Sequence, residues 1–189
     1  SVLYDGKMVV FGGITGPPNY PKFNDVWTLD LTSYVWNEVT TTGTKPSPRK
    51  DHTSVVYNGE MVVFGGNDDR FRIQNDIWIL NLSSNVWTKV DVNPHRIYIG
   101  GNWREDINNP GGREGHTCVL YNEKMIMFGG TSSGNGYVWE FYLTEDADGH
   151  NKYSWKKVTL SGTKPTHKRY FHSSIVYNGK MVIYGGGSN

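Results

Sequence analysis

The sequence predicts an all-β protein built from repeated four-stranded units. Composition gives the first indication, because Gly supplies 23 of the 189 residues and Trp, Tyr and Phe supply another 7, 12 and 7. Glycine favours turns and aromatic residues favour strands. A strand motif that recurs along the chain and a turn that follows the same strand each time give the second and third indications. No window shows a helical period long enough to compete.

The recurring strand motif ends in a double glycine. It reads MVVFGG at residues 8–13 and 61–66, MIMFGG at 125–130 and MVIYGG at 181–186. The copies begin 53, 64 and 56 residues apart. Such spacings are typical of a four-stranded propeller blade and are too long for leucine-rich or paired-helix repeats.

A second apolar strand precedes each copy and joins it through a two-residue turn. The strands read SVLY from residue 1, HTSVVY from 52, HTCVLY from 116 and HSSIVY from 172. The turn pairs are Asp5-Gly6, Asn58-Gly59, Asn122-Glu123 and Asn178-Gly179. Three of the four are strong hairpin signals, since both central residues of a type I′ turn need positive φ.

Two further strands follow the first three glycine pairs, and each contains a tryptophan. The third strands centre on Trp27, Trp78 and Trp139, and the fourth on Trp36, Trp87 and Trp155. The units therefore span approximately residues 1–40, 52–90 and 116–158, with the first two strands of a fourth unit at 172–186.

These features resemble the kelch-repeat family, whose motif is a hydrophobic strand ending in a double glycine, followed by an aromatic residue and a tryptophan at a set spacing. The resemblance implies a kelch-type β-propeller in which strand A lines a central channel and strand D is outermost. The chain then holds about three and a half four-stranded blades, too few to close a ring. We expect a fragment of a larger propeller whose edge strands need further blades or self-association.

The repeated glycines and tryptophans allow a functional interpretation and a structural one. The glycine pairs lack the spacing of a phosphate-binding loop, so close backbone approach explains them better. Tryptophan rings can stack on a ligand, but their strict recurrence favours burial between adjacent blades.

Three recurring histidines raise the question of a metal centre. His52, His116 and His172 each open a strand A, which gives them equivalent local roles around an axis, so we predict no metal site. Cys118 occupies the position of Ser54 and Ser174, and we interpret it as a small core residue and not as a nucleophile. For the pairs Asp68-Asp69 and Glu105-Asp106, spacing alone leaves acid–base chemistry open.

Charge and cysteine content narrow the class of protein. Nineteen Lys and Arg against 18 Asp and Glu give a net charge of +1, far from the basic surface of a nucleic-acid binder. The single cysteine excludes an intrachain disulfide, no apolar run can span a bilayer, and the first residues lack a signal-peptide layout. We expect a cytoplasmic protein with no cofactor and no membrane partner.

The connections between strands B and C and between strands D and A differ most between copies, so we look for function there. The second B to C loop contains Arg70, Phe71 and Arg72, and an insertion at residues 91–116 contains Tyr98, Trp103 and Arg104. Arginine and aromatic residues dominate interface hot spots. These six residues are the predicted anchors for a protein or peptide partner, with an acidic segment favoured by the arginines.

We therefore predict noncatalytic recognition through the variable loops, without catalytic residues. Resemblance to the family also implies an alternative, since some kelch-type propellers are oxidases, sugar epimerases or specifier proteins. The copper-oxidase pattern needs a cysteine cross-linked to tyrosine, and the specifier motif Glu-x-x-x-Asp-x-x-x-His is absent from this sequence.

Overall fold

The computed structural model describes residues 1–17, 19–92, 97–99, 102–104, 109–131, 136–144, 152–165 and 169–187, with the backbone alone for 97–99 and 102–104. These residues form strands, turns and loops and contain no helix, hence no helix that could cross a membrane. The strands assemble into successive antiparallel sheets that we call blades 1 to 4. The prediction of an all-β, kelch-type propeller is confirmed.

Within each blade the strands of the repeat lie side by side in chain order, from strand A to strand D in blades 1 to 3, while blade 4 has strands A and B. Nineteen strands are described: β1 (Val2–Tyr4), β2 (Lys7–Ile14), β3 (Lys22–Asp30), β4 (Trp36–Glu38), β5 (Thr42–Gly43), β6 (Arg49–Lys50), β7 (Thr53–Tyr57), β8 (Glu60–Phe64), β9 (Asn67–Asp68), β10 (Ile77–Asn81), β11 (Val86–Val90), β12 (Ile97–Ile99), β13 (Asn102–Arg104), β14 (Glu114–Tyr121), β15 (Lys124–Thr131), β16 (Val138–Tyr142), β17 (Trp155–Lys157), β18 (Tyr170–Tyr177) and β19 (Lys180–Gly187). Blade 1 is β1 to β4, blade 2 is β7, β8, β10 and β11, blade 3 is β14 to β17, and blade 4 is β18 with β19.

The hairpins between strands A and B all use the predicted turn. The first turn residue has φ between 47° and 48° and the second between 59° and 74° in all four copies. Asn122-Glu123 adopts the same turn although Glu123, at φ 59°, is not glycine.

The core lies between blades. One cluster joins blades 1 and 2 and the other joins blades 2 and 3. At the first interface the ring of Trp87 lies 4.9 Å from that of Phe11, and at the second Trp155 lies 5.0 Å from Phe64. The strand D tryptophans of blades 2 and 3 therefore pack on the aromatic residue before the glycine pair of the preceding blade.

The tryptophans of blade 1 correct one expectation. Trp78, Trp87, Trp139 and Trp155 are buried as predicted, but Trp27 is 36 % exposed and Trp36 is 48 % exposed. Within the described residues, neither ring belongs to a core cluster between two blades.

Blade 2 also departs from the expectation that strand D is outermost. β5, on the connection from blade 1, pairs in parallel with β11 and adds a fifth strand. A Cβ on Gly43, which has φ 80°, would lie 2.5 Å from the carbonyl oxygen of Trp87. Glycine is required for this approach, which the sequence motif did not reveal.

Candidate functional site

The B to C and D to A connections emerge at one end of the blades, which we call the loop face. Short strands order part of it: β6 and β9 extend strands A and B of blade 2 beyond the main sheet and pair with each other. In the long insertion, β12 and β13 form an antiparallel hairpin.

Asp68 organises the B to C loop of blade 2. Its buried carboxylate accepts the backbone N–H groups of Arg70 and Arg72 at 3.0 and 2.8 Å, and the Nε2 group of Gln74 at 3.0 Å. The Arg72 guanidinium completes the set, with Nε at 2.8 Å and Nη2 at 2.7 Å from Oδ2. Burial raises the pKa of Asp68, but these hydrogen bonds outweigh it and leave the pKa below its ordinary value.

Lys22 of blade 1 ties this loop to the neighbouring blade. Its ammonium donates to Asn67 Oδ1 at 2.7 Å and to the carbonyl oxygen of Asp68. The same ammonium lies 4.5 Å from the centre of the Phe71 ring, a cation–π contact. Two blades therefore fix the position of one loop.

Phe71 lies at the exposed tip of this loop. It is 79 % exposed and adopts φ 59°, which costs a bulky side chain about 1–2 kcal/mol. The hydrogen bonds around Asp68 hold it there. Arg70 beside it is exposed, and its side chain has no hydrogen bond or ion pair within the described part of the chain.

The six predicted anchor residues differ in their placement. Arg70, Phe71 and Arg72 share one ordered, exposed loop. Arg72 is bound to Asp68, so its charge is already paired and its part in the loop is to hold the turn. For Tyr98, Trp103 and Arg104 the backbone belongs to β12 and β13, and their side chains lie outside the described residues.

A buried arginine forms the inner edge of the loop face in blade 2. The Arg49 guanidinium donates to Asp76 Oδ1 and Oδ2 at 2.6 and 3.0 Å and to the carbonyl oxygen of Gly65 at 2.9 Å. Burial raises the pKa of Asp76, and the Arg49 hydrogen bonds and charge more than reverse this. The pair closes the base of the loop face between strands A and C.

The recurring histidines bind neighbouring blades together. His116 Nε2 and Thr53 Oγ1 of the preceding blade are 2.8 Å apart, and His172 Nε2 and Thr117 Oγ1 repeat the contact at 2.8 Å. A Cβ on Gly65, which has φ 68°, would lie 3.0 Å from Cε1 of His116. The double glycine therefore makes room for the histidine of the next blade. This packing role explains the glycine pair without a phosphate-binding function.

Burial controls the ionisation of these side chains. It lowers the pKa of His52 to about 3, that of His116 well below its ordinary value and that of His172 in the same direction. It raises the pKa of Cys118 to about 12, while Thr53 Oγ1 donates to the thiol sulfur at 3.0 Å. A thiol so strongly protonated is unsuited to nucleophilic attack.

Metal and acid–base sites have little support in the described ranges. Within them no three His, Cys, Asp or Glu side chains are grouped so that they could hold a metal ion. Of the carboxylate pairs, Asp68 is occupied in its own loop, and Glu105-Asp106 lies outside the described residues.

Sequence reasoning missed both Lys22 and the organising role of Asp68. An aspartate followed by arginine four residues later and glutamine six residues later is a local signal for a carboxylate-centred turn. Lys22 is 46 positions from Asp68 and gave no signal, because only the packing of two blades brings them together.

Comparison with known proteins gives a consistent result. A family model described as the KLHDC2/KLHL20/DRC7 Kelch-repeats domain matches residues 1–99 and 102–189. Tip elongation aberrant protein 1 of Schizosaccharomyces pombe is 29 % identical over 95 % of this chain, and Ras guanine nucleotide exchange factor F of Dictyostelium discoideum is 33 % identical over 86 %. Kelch domain-containing protein 10 of Rattus norvegicus is 27 % identical over 97 %.

These relatives are much longer than the chain, which spans 15 %, 13 % and 41 % of their respective lengths. Among solved structures, that of YjhT superposes with a TM-score of 0.69 at 17 % identity, over 96 % of this chain and 56 % of the other. At that identity the likeness bears on the fold alone.

Proposed function

The chain belongs to the kelch-repeat family, and from this premise we propose that it is a noncatalytic scaffold that recognises a protein or peptide through its loop face. Arg70 and Phe71 are the central anchors, with Arg72 holding their loop. Tyr98, Trp103 and Arg104 of the insertion complete the proposed contact set.

The observation that carries the proposal is the ordered presentation of Arg70 and Phe71. Binding costs conformational entropy when a loop must become ordered, and a loop already fixed by Asp68 and Lys22 avoids much of that cost. An exposed phenylalanine beside an unpaired arginine is also the combination that interface hot spots favour.

The names of the relatives support a scaffold. A guanine nucleotide exchange factor, a tip elongation protein and a host cell factor homolog share this repeat while their names indicate different activities. A module that recurs in such different proteins is more readily explained by binding than by one shared reaction.

An enzyme is the rival proposal, because one relative is named tRNA wybutosine-synthesizing protein 2/3/4, of Oryza sativa subsp. japonica. The chain spans 11 % of that protein, so the name extends over far more than this repeat region. We propose that a kelch module of this kind binds and does not catalyse. We also propose a cytoplasmic location, and further blades or self-association at its outer faces.

The expected partner segment is acidic. Arg70 presents a planar fork of donors to carboxylates, and the Phe71 ring beside it covers apolar parts of the same peptide. The chain as a whole carries a net charge of only +1, so attraction to an acidic partner must come from this local arrangement.

Alanine substitutions on the two ends of the blades test this function. Against a partner identified by crosslinking, Arg70→Ala and Phe71→Ala should each weaken binding. The binding free energy, obtained from the Kd measured by calorimetry, should become less favourable by about 1 kcal/mol or more for each variant. Lys180→Ala is the matched control, because Lys180 is exposed at the hairpin on the opposite end. Equal losses at both ends, or a loss at Lys180 only, would contradict the proposal.

A further inference from the structure

The second residue before the strand D tryptophan differs between blade 2 and its neighbours. This residue is Tyr34 in blade 1 and Tyr153 in blade 3, but Asn85 in blade 2. The backbone is alike in all three, with φ of 57°, 63° and 58° in that order. Each N–H also donates to the carbonyl oxygen of the last residue of strand C, at 2.9, 2.8 and 2.8 Å. Blade 2 therefore forms the same turn without the tyrosine ring.

In blade 3 this tyrosine ring is part of the interface with blade 2. Tyr153 stacks on Phe141, with ring centres 6.1 Å apart and ring planes 15° apart. Both side chains contribute to the core cluster that joins blades 2 and 3. Phe141 lies opposite the strand D tryptophan, and its counterpart in blade 2 is Leu80. Two rings of blade 3 thus cover blade 2, whereas Leu80 and Asn85 stand at the same places against blade 1.

A cleft of about 240 Å³ opens between blades 1 and 2 at these places. It lies at the end of the blades opposite the loop face, and both Leu80 and Asn85 line it. The buried side chains of Val9 and Val26 line its inner part, and the half-buried Tyr4 lines it as well. An apolar space therefore exists beside the position that is tyrosine in the other two blades.

The corresponding space between blades 2 and 3 is filled. Val62 and Ile77 are the counterparts of Val9 and Val26, and both belong to the core cluster there. Neither lines the cleft that remains at that interface, of which Tyr153 itself forms one wall. The rings of blade 3 therefore close the inner part of a space that stays open between blades 1 and 2.

The rim of the open cleft is polar. Asp5 and Lys7 are exposed there, while Thr28 and Asn85 offer a hydroxyl and an amide. An aromatic ring with a hydroxyl group can place its apolar part inside and its polar end at such a rim. The volume is smaller than the about 300–1,000 Å³ of pockets for drug-sized ligands, so it suits a ligand with a single ring.

We propose that this cleft between blades 1 and 2 binds a small molecule that carries one phenol-type ring. The ring takes the place that Tyr153 occupies at the next interface. Because the cleft is at the opposite end from the loop face, this site does not depend on the proposed recognition function.

The valine methyl groups report binding directly. The probe is p-cresol, which is the tyrosine side chain as a free molecule. In carbon-13 methyl NMR, p-cresol should shift the resonances of Val9 and Val26 in a saturable way. Val62, the counterpart of Val9, is the internal control and should not move. No saturable shift at Val9 and Val26, or an equal shift at Val62, overturns the proposal.

Filling the cleft from within gives the matched variant. Asn85→Tyr restores the residue of blades 1 and 3 on a backbone that already has their φ, so it should fold and abolish the p-cresol shift. Asn85→Gly tolerates the same φ and leaves the cleft open, so it should retain the shift. A shift that persists in Asn85→Tyr, or is lost in both variants alike, overturns the proposal.

The reciprocal change in blade 3 tests the role of the ring. Tyr153→Asn should open the corresponding cleft between blades 2 and 3. Val62 should then respond to p-cresol, while Val9 responds as it does in the unchanged chain. A Val62 resonance that stays silent in this variant would show that the tyrosine ring does not close the space, and would overturn the proposal.

Two further compounds define the ligand. In 4-methylcyclohexanol the ring has a similar size but no π system, so it should bind more weakly by a factor of about 3–10. Equal affinity would overturn the assignment of an aromatic ligand. N-acetyl-tyrosinamide carries the same ring on a peptide unit, and tighter binding than that of p-cresol would overturn a small-molecule source in favour of a partner's tyrosine.

The loop-face variants separate this site from the proposed recognition function. Arg70→Ala and Phe71→Ala should leave the p-cresol shifts of Val9 and Val26 unchanged. If those variants retain partner binding while p-cresol still binds, the loop-face function fails and the cleft stands. If p-cresol does not bind while the variants weaken partner binding, the cleft fails and the loop-face function stands.

Discussion

Blades 1 and 2 have tryptophans at matching positions, yet these tryptophans lie in different environments. Trp87 of blade 2 is 2 % exposed, and its counterpart Trp36 of blade 1 is 48 % exposed. The strands that contain them pair with their neighbours in the same antiparallel order. Burial in this fold therefore belongs to a pair of adjacent blades, and a single blade does not supply its own core.

Tryptophan substitution is the strongest test of this difference. Trp78→Ala and Trp87→Ala should each lower the free energy of unfolding by about 3–5 kcal/mol, because they leave cavities between blades 1 and 2. The matched changes Trp27→Ala and Trp36→Ala should cost about 1 kcal/mol, since both rings remain partly in water. Urea unfolding followed by circular dichroism measures both. Equal losses in the two blades would show that each blade is stable by itself.

Substitution of the strand C aspartate should likewise cost more stability in blade 2 than in blade 1. Asp76→Ala strands the buried Arg49 guanidinium and should cost about 3 kcal/mol. Asp25→Ala, its counterpart in blade 1, removes a hydrogen bond to the half-exposed Trp27 and should cost about 1 kcal/mol. Thermal unfolding of the two variants gives the comparison. A larger loss for Asp25→Ala would contradict the asymmetry.

Acid should weaken the interfaces on both sides of blade 2. His52 and His116 have pKa values below the ordinary 6.5 in the folded chain, so below about pH 6.5 the unfolded chain binds protons that the folded chain excludes. Stability should fall as the pH falls, by about 1–2 kcal/mol between pH 7.0 and 6.0. Urea midpoints at the two pH values measure this. In His116→Gln the dependence should be about half as steep, and an unchanged slope would remove His116 from the explanation.

Substitution of the hairpin glycines should give the smallest difference in stability cost between blades 1 and 2. Gly6→Ala and Gly59→Ala both force alanine into positive φ, at a cost of about 1 kcal/mol. Gly59→Ala should cost a few tenths of a kcal/mol more, because its Cβ would lie 3.3 Å from the Tyr4 hydroxyl whereas nothing lies within 4 Å at Gly6. Thermal unfolding resolves this order if the two variants are measured together. The reverse order would mean that the preceding blade does not constrain the turn.

Local sequence signals predicted the strands and turns well, because the motif before Gly-Gly and the pair after each strand A act within a few residues. The recurrence of tryptophan in each repeat predicted the buried tryptophans of blades 2 and 3. These signals did not predict the exposure of Trp27, the outer strand β5 or the reach of Lys22 to Asp68. Each of these depends on which blade lies next to which, information that no single repeat contains.

The candidate site was predictable only in part. Arg70 and Phe71 could be proposed from the sequence because arginine and aromatic residues in a variable loop stand out from the repeat, and their role in binding stays a prediction. The pairing of Arg72 with Asp68 could not be predicted, since a sequence does not show which of two neighbouring arginines a carboxylate will bind.

The contact between a double glycine and the histidine of the next blade has a consequence for how such chains change over time. The interfaces between blades 1 and 2 and between blades 2 and 3 use the same complementary halves, with glycine and an aromatic residue on one side and histidine and tryptophan on the other. A gene duplication that inserts a whole blade therefore creates two interfaces whose halves already match. Blade number can then change without new complementary mutations, while the loops of each added copy are free to diverge.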